Sequence, residues 1–275
     1  MEDPITIGLI GFGAIGQAVA RAVVCGEAGN TRLASVLCRN PDKHALALPF
    51  AGSVPITVTA DGDAFFGVAP GLVIEAAGQD ALRQYGVRAI ESGADLLATS
   101  IGAFADDLYF SSLTGLAQRL GRRVLLASGA LPALDWMQSA ALSGNCSAAI
   151  TQTKPAASWR GTPAEALVDL DHLTEPRCFF QGNAREAAQR FPKSSNITAM
   201  LALATAGLDA TTVCLIAAPD PGEMHTSIDF DSTAGSLKLD WRGVPSVLNP
   251  KTSTDVPLNV IKALKNLYGP VCYGP

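Results

Sequence analysis

The sequence has few charged residues, few histidines and no long hydrophobic run. Charged residues make up 16% of the 275 residues, three residues are histidine, and the formal net charge at pH 7 is −5. A nucleic-acid-binding surface needs a basic patch, so this charge balance argues against one. No apolar stretch approaches the ~18 residues that a membrane-spanning helix requires. We therefore expect neither a nucleic-acid partner nor a membrane partner.

Cysteines at metal-binding or redox spacing are also absent. The six cysteines are scattered without a CxxC motif, at Cys25, Cys38, Cys146, Cys178, Cys214 and Cys272. We interpret them as small buried hydrophobic residues in a reducing cytoplasm, and we expect no disulfide and no metal site. The acidic N-terminus, Met1 to Pro4, leads directly into a strand pattern and is not typical of a signal peptide. These features predict a cytoplasmic protein.

The chain does contain a large apolar fraction, 48%, and a glycine motif near its start. The apolar run Ile5–Ile10 predicts a buried strand and Ala14–Val24 predicts a helix. Between them lie Gly11, Gly13 and Gly16 in the spacing GxGxxG. In a dinucleotide site the first glycine makes the tight turn, the second admits the pyrophosphate, and the third lets the helix pack on the strand.

This glycine spacing also matches ordinary tight turns, but the strand before it and the helix after it favour a nucleotide site. The helix N-terminus, with Ala14 and Ile15 between the glycines, would then hold the phosphates. In NAD-specific sites an acidic residue stands about 20 residues further on and binds the ribose. Here a second predicted strand, Leu33–Cys38, ends with Cys38 at that place, followed by Arg39. Arg39 could pair with a 2′-phosphate, stack on the adenine, or remain a solvated loop residue. The sequence therefore predicts NADP as cofactor, or the use of both NADP and NAD.

Strand and helix patterns alternate up to about residue 127, which predicts a parallel sheet. Three successive predicted strands end in small residues: Ala76, Ala77 and Gly78; Thr99 to Ala103; and Ser128, Gly129 and Ala130. Open α/β sheets bind ligands at this edge, so we expect the first group to contact cofactor and the last to contact substrate. Ordinary turn chemistry remains the alternative for each of them.

Near residue 145 the pattern changes to longer strands with few crossovers, which indicates an antiparallel or mixed sheet. We predict a dinucleotide-binding domain over 1–145, a substrate and dimerisation domain over 146–249, and a C-terminal helix within about 250–275 that packs on the first domain.

Few side chains are candidates for chemistry. His225 is the better candidate acid–base, because imidazole suits proton transfer near pH 7, whereas His172 is most simply a surface residue. Lys154 could bind a carboxylate or be solvated. Ser195 or Asn196 would by default cap the helix that follows, and the turn 249–253 would cap the last helix.

Taken together, the chain resembles the L-aspartate dehydrogenase family. The matching motifs are Gly11–Gly16, Glu75–Gly78, Ser128–Ala130, Thr153–Pro155, Gly182–Ala188 with Phe191-Pro192, Asn196, Asp220-Pro221 with His225, and Asn249–Ser253. Two departures, Ala156 where a second proline is common and Met224 directly before His225, weaken the alignment locally.

The resemblance implies an α/β protein: an N-terminal Rossmann domain with a doubly wound parallel sheet, then an α+β domain with a mixed or antiparallel sheet that forms much of a homodimer. It implies reversible NAD(P)-dependent oxidation of L-aspartate, through iminosuccinate, to oxaloacetate and ammonia. His225 would be the active-site histidine and Asn196 the active-site asparagine. The alternatives are another two-domain dehydrogenase of the homoserine or sugar type, or a non-catalytic cofactor-binding regulator.

Overall fold

The computed structural model describes residues 3–44, 55–220, 223–246 and 253–274. The chain divides into two compact units, Met1–Gly129 with Val256–Pro275, and Ala130–Asp255. Within the described ranges no helix combines the length and the apolarity needed to cross a membrane.

The first unit is built on a six-stranded parallel sheet in the order β3-β2-β1-β4-β5-β6. Its strands are β1 (Ile5–Ile10), β2 (Thr31–Leu37), β3 (Thr57–Thr59), β4 (Leu72–Glu75), β5 (Asp95–Ala98) and β6 (Val124–Leu126). Its helices are α1 (Ala14–Val24), α2 (Pro41–His44), α3 (Gly62–Phe66), α4 (Gln79–Glu91), α5 (Asp107–Arg119) and the C-terminal α10 (Asp255–Tyr268). The predicted doubly wound parallel sheet is thus confirmed.

The core of this unit forms where the central strands are apolar on both faces, as parallel strands covered by helices must be. The strand side chains Leu9 and Ile74 lie in one cluster with Val19 of α1 and with Val260 and Leu264 of α10. Because the strand order reverses between β1 and β4, this sheet has its topological switch point beside the glycine loop.

The second unit contains a five-stranded mixed sheet in the order β11-β10-β7-β9-β8, in which only the β7–β9 pair is parallel. Its strands are β7 (Cys146–Pro155), β8 (Arg177–Asn183), β9 (Thr212–Ala218), β10 (Met224–Ser232) and β11 (Gly235–Gly243). Its helices are α6 (Leu134–Ala141), α7 (Ala156–Trp159), α8 (Ala184–Arg190) and α9 (Asn196–Ala204). The predicted mixed sheet is confirmed.

The boundary of the second unit lies earlier than the expected 145/146. It falls after Gly129, because α6, a helix that the sequence reading did not identify, packs on the second sheet. Trp136 of α6 meets Phe230 of β10 edge to face, with ring centroids 5.9 Å apart.

The cysteines differ from their predicted burial. All six are free thiols, but none lies in the core: Cys25, Cys178 and Cys272 are exposed and the other three are half-buried. The sulfur atoms of Cys178 and Cys214 lie 3.3 Å apart on neighbouring strands β8 and β9. The expectation of buried cysteines was wrong because most of them stand at element ends or on the less buried sheet face, where small apolar residues are equally tolerated.

The second sheet has one buried face and one open face, which follow from strand alternation. On β10, Met224, Thr226 and Ile228 are buried, whereas His225 and Ser227 between them are only partly covered. Helices α6 and α9 pack on β10 and β7 and cover the buried face.

Candidate active site

The loop between β1 and α1 gives its three glycines three different environments. Gly11 has φ +98°, and a Cβ there would lie 2.6 Å from the Ala76 carbonyl oxygen, so only glycine fits. A Cβ on Gly16 would collide with the Gly11 carbonyl oxygen. Gly13 has φ −81°, is exposed, and a Cβ there would meet no protein atom within 4 Å. Two glycines therefore serve packing, and the third borders open space.

The start of α1 faces this open space with unpaired donors. The helix begins at Ala14, directly after Gly13, and has no acidic residue in its first turn. The first N–H groups of a helix, here those of Ala14, Ile15 and Gly16, have no acceptor within the helix. The positive end of the helix dipole adds to their attraction for an anion. The open space beside Gly13 and the positive end of α1 therefore fit a dinucleotide pyrophosphate.

Arg39 lies at the same edge of the sheet as the glycine loop. The N–H of Gly11 donates to the carbonyl oxygen of Leu37, the last residue of β2, at 2.8 Å. Arg39 follows two residues later, is exposed, and has no ion pair or hydrogen bond with the residues that the structure describes. Burial raises the pKa of the Cys38 thiol, so the residue at the position of the usual acid is uncharged at pH 7. No carboxylate at that position opposes a 2′-phosphate.

The residues that follow β4 and β6 are the other predicted ligand contacts in the first unit. Ala76, Ala77 and Gly78 form the turn into α4, and Gly78 has φ +124°. After β6, Gly129 has φ +62° and its carbonyl oxygen accepts a hydrogen bond from Asn259 Nδ2 of α10 at 2.5 Å.

The predicted substrate segment crosses the boundary between the units. Ser128 is half-buried, and Ala130, 7% exposed, is the first residue of the second unit. Contact of Ser128, Gly129 and Ala130 with substrate stays a prediction.

In the second unit, His225 is paired with a carboxylate. Its Nε2 lies 2.9 Å from Oδ1 of Asp240, and the His225 side chain is 40% exposed. His225 is the second residue of β10 and stands opposite Thr153 of β7 and Arg242 of β11. A half-exposed imidazole held by a carboxylate at a strand end can exchange protons with a bound molecule.

Lys154 is the next residue after Thr153, and strand alternation turns it to the opposite face of the sheet. Its ammonium nitrogen lies 5.0 Å from the centre of the Trp159 ring, and Trp159 is completely buried. Burial lowers the pKa of Lys154 to about 8. The lysine is therefore a stronger proton donor than an exposed one, and at this pKa it can also act as a base.

Asn196 lies on the helix-covered side with Lys154, as the first residue of α9. The preceding Ser195 makes no capping hydrogen bond through its side chain, and its buried hydroxyl has no partner in the described part of the chain. Capping by the Ser195 side chain was therefore the wrong default, because its hydroxyl is enclosed.

The candidates of the second unit thus form two groups, on opposite faces of the sheet. His225 and Asp240 lie on the open face, and Lys154 and Asn196 on the covered face. The exposed His172 lies outside both groups and pairs with Asp169 at 2.9 Å. Residues 249–252 and Pro221 lie outside the described residues, and Ser253 is 8% exposed.

Two polar side chains that make close contacts, those of Asp240 and Glu75, were not predicted from the sequence to belong to the site. Asp240 could have been predicted from the hairpin between β10 and β11. Its tight turn pairs Ser232 with Gly235, and this register places Asp240 opposite Ser227. Asp240 is then the diagonal neighbour of His225 across the two strands. The other, Glu75, ends an apolar strand, and its partners are visible only in three dimensions.

The comparisons with known proteins cover both units. Residues 11–127 match the family model of the homoserine dehydrogenase NAD-binding domain, and residues 135–267 match that of the aspartate dehydrogenase C-terminal domain. The L-aspartate dehydrogenase of Ralstonia pickettii is 37% identical over 265 residues, covering 94% of this chain and 96% of that protein. The chain belongs to the aspartate dehydrogenase family.

Two other aspartate dehydrogenases are also similar to nearly the whole chain. The enzyme of Ruegeria pomeroyi is 36% identical over 263 residues, covering 96% of this chain and 92% of its own length. The crystal structure of Thermotoga maritima aspartate dehydrogenase superposes with a TM-score of 0.71 over 99% of this chain and all of that one, at 18% identity, which shows a shared fold. An NAD(P)-binding domain followed by the family's C-terminal domain is therefore the architecture of this chain.

Proposed function

We propose that this chain catalyses the reversible NAD(P)-dependent oxidation of L-aspartate, through iminosuccinate, to oxaloacetate and ammonia. The observation that carries the proposal is the similarity of nearly the whole chain to enzymes named L-aspartate dehydrogenase. The glycine loop supports it independently, since Gly13 leaves open space beside the α1 N-terminus.

The chain supplies binding and proton transfer around this chemistry. When bound, the cofactor is the two-electron acceptor or donor for the substrate carbon. We assign to His225 the proton transfer at the amine, or at the water that attacks the imine carbon, with Asp240 orienting the ring. The positive charge of Lys154 suits a substrate carboxylate, and Asn196 offers both a donor and an acceptor.

The deciding experiment is NADPH oxidation in the presence of different carbonyl substrates. We expect turnover with oxaloacetate plus ammonia, and none with oxaloacetate alone. Turnover with aspartate semialdehyde instead would favour a homoserine-type enzyme, and turnover with a keto-sugar would favour the sugar type. NADPH binding without turnover on any of these substrates would favour a regulator.

We also propose that the protein is a homodimer. The second sheet supports this, because one of its faces is covered by helices and the other, which carries Thr151, Thr153, Ser227 and Ile216, is only partly buried within the chain. Light scattering after size exclusion should give about twice the chain mass of 28.4 kDa. A single-chain mass at micromolar concentration would contradict the dimer.

Arg39 should set the cofactor preference, with NADP(H) binding at least as well as NAD(H). Arg39→Ala should weaken NADPH binding by roughly 1.5–3 kcal/mol, since it removes a charge-assisted contact to the 2′-phosphate, and should largely spare NADH. The measurement is the Kd of both cofactors for both proteins. Arg32→Ala, a change of the same kind at the start of β2 and so at the opposite edge of the sheet, is the control. Equal losses for NADPH and NADH would leave Arg39 with adenine stacking alone.

A further inference from the structure

Glu75 is a completely buried carboxylate at the end of β4, with four hydrogen-bond donors around it. Its Oε1 accepts from the N–H groups of Ala77 at 2.7 Å and Gly78 at 2.8 Å, and from the Ser100 hydroxyl at 3.0 Å. Its Oε2 accepts from the N–H of Ser100 at 3.2 Å. The carboxylate therefore joins the exit of β4 to the exit of β5.

A buried acid of this kind is costly to retain. Burial raises the pKa of Glu75, while the hydrogen bonds from Gly78, Ala77 and Ser100 oppose that rise. No ion-pair partner of Glu75 occurs among the described residues. Hydrogen bonds alone thus hold the carboxylate, and all four donors belong to the turns at the ligand-binding edge of the sheet.

The turn that Glu75 holds is in contact with the glycine loop. A Cβ on Gly11 would lie 2.6 Å from the Ala76 carbonyl oxygen and 2.8 Å from the Ala77 Cβ. The N–H of Ala76 also donates to the carbonyl oxygen of Ile10 at 2.8 Å. A displacement of the turn 76–78 would therefore shift the glycine loop with it, because no free space separates them.

We propose that Glu75 is a positioning residue for the nicotinamide dinucleotide: its carboxylate holds the turn 76–78 and Ser100 at fixed positions, and so fixes the glycine loop that binds the pyrophosphate. Glu75 cannot touch the cofactor itself, since its side chain is fully enclosed. The inference rests on the proposed cofactor contacts of Ala76, Ala77 and Gly78, and it adds a residue that acts through them.

The test is the isosteric variant Glu75→Gln. The amide oxygen can replace Oε1 and keep the bond from the Ser100 hydroxyl, but the amide NH₂ then faces the Ser100 N–H, so one of the two hydrogen bonds to the exit of β5 is replaced by a repulsion. We expect the Kd for NADPH, measured by its fluorescence at a temperature where the variant is folded, to rise about tenfold or more. Ser100→Ala, which removes only the hydroxyl donor, should raise it by about a few-fold.

The matched control is Asp95→Asn. Asp95 begins β5 at the opposite edge of the same sheet, and its carboxylate accepts from Arg123 N at 2.9 Å, Nε at 3.0 Å and Nη2 at 2.8 Å. This change should lower Tm without changing the Kd for NADPH, which separates positioning from general stability.

The proposal is overturned if Glu75→Gln lowers Tm but binds NADPH as the wild type does. If that variant does not fold, Ser100→Ala decides: an unchanged Kd overturns the proposal and a weakened one supports it. If the wild type itself does not bind NADPH, the proposed function fails, and with it the basis for a positioning role. Because the experiment measures the binding of NADPH, the inference would hold even if the enzyme acted on a substrate other than L-aspartate.

Discussion

Replacing Gly13 by valine should abolish NADPH binding and leave the protein folded. The Gly13 backbone has φ −81° and ψ −160°, which valine adopts readily, and a Cβ at this position would meet no protein atom within 4 Å. The free energy of unfolding should fall by about 1 kcal/mol, the usual cost of a poor residue at a helix N-cap. In the complex, however, the new side chain would occupy the space of the pyrophosphate.

Fluorescence titration and thermal unfolding together test this prediction. A shift in Tm of at most about 4 °C should accompany the loss of binding. Gly115→Val on α5 is the control, since its Cβ would approach only the end of the flexible Arg119 side chain, at 3.6 Å, and NADPH binding should persist. Normal binding by the Gly13 variant would mean that the loop is only a turn.

The same substitution at the neighbouring glycines should give a different result. At Gly11 and Gly16 a Cβ would collide with backbone atoms, so valine there should unfold or rearrange the loop before cofactor is added. Valine at Gly13 should therefore affect cofactor binding, whereas valine at Gly11 or Gly16 should affect the packing of the loop itself.

Much of the fold could be predicted from local patterns. Ile5–Ile10 and Ala14–Val24 were predicted with the bounds that the structure has, because an apolar run followed by a helix-compatible pattern indicates a buried strand and the helix after it. The short strand β3 and the helix α6 were not identified. β3 has only three residues, Thr57–Thr59, and α6 begins after Ala133, a non-glycine residue with φ +54° that no sequence rule would place there.

The candidate site was less predictable, because its contacts join residues that are far apart in sequence. The glycine loop was identified from its spacing, since Gly11 and Gly16 meet local backbone needs and Gly13 leaves room beside the helix N-terminus. Glu75 and Ser100 are 25 residues apart and meet only when β4 and β5 pair. The sequence also could not show that Lys154 and His225 face opposite sides of the sheet, which depends on the register between β7 and β10.

The role of His225 leads to the second large expected effect. His225→Ala should lower kcat by about 10²–10⁴-fold, the usual share of general acid–base catalysis, with the Kd for NADPH nearly unchanged. Asp240→Asn should lower kcat by less, because the imidazole remains but loses the carboxylate, 2.9 Å from its Nε2, that orients it. Steady-state kinetics with oxaloacetate and ammonia, together with NADPH titration, measure both.

The chain offers a matched control in a second histidine–aspartate pair. His172 Nδ1 lies 2.9 Å from Asp169 Oδ2, and both side chains are exposed, so His172→Ala removes the same chemical pair without touching the second sheet. We expect kcat to stay at the wild-type value in that variant, which would show that the loss at His225 depends on position.

A His225→Ala enzyme with near-normal kcat and a raised KM would instead make His225 a substrate-binding residue. Lys154, whose pKa burial lowers to about 8, would then be the side chain to test for proton transfer, and Lys154→Met would remove its charge while keeping much of its packing on Trp159.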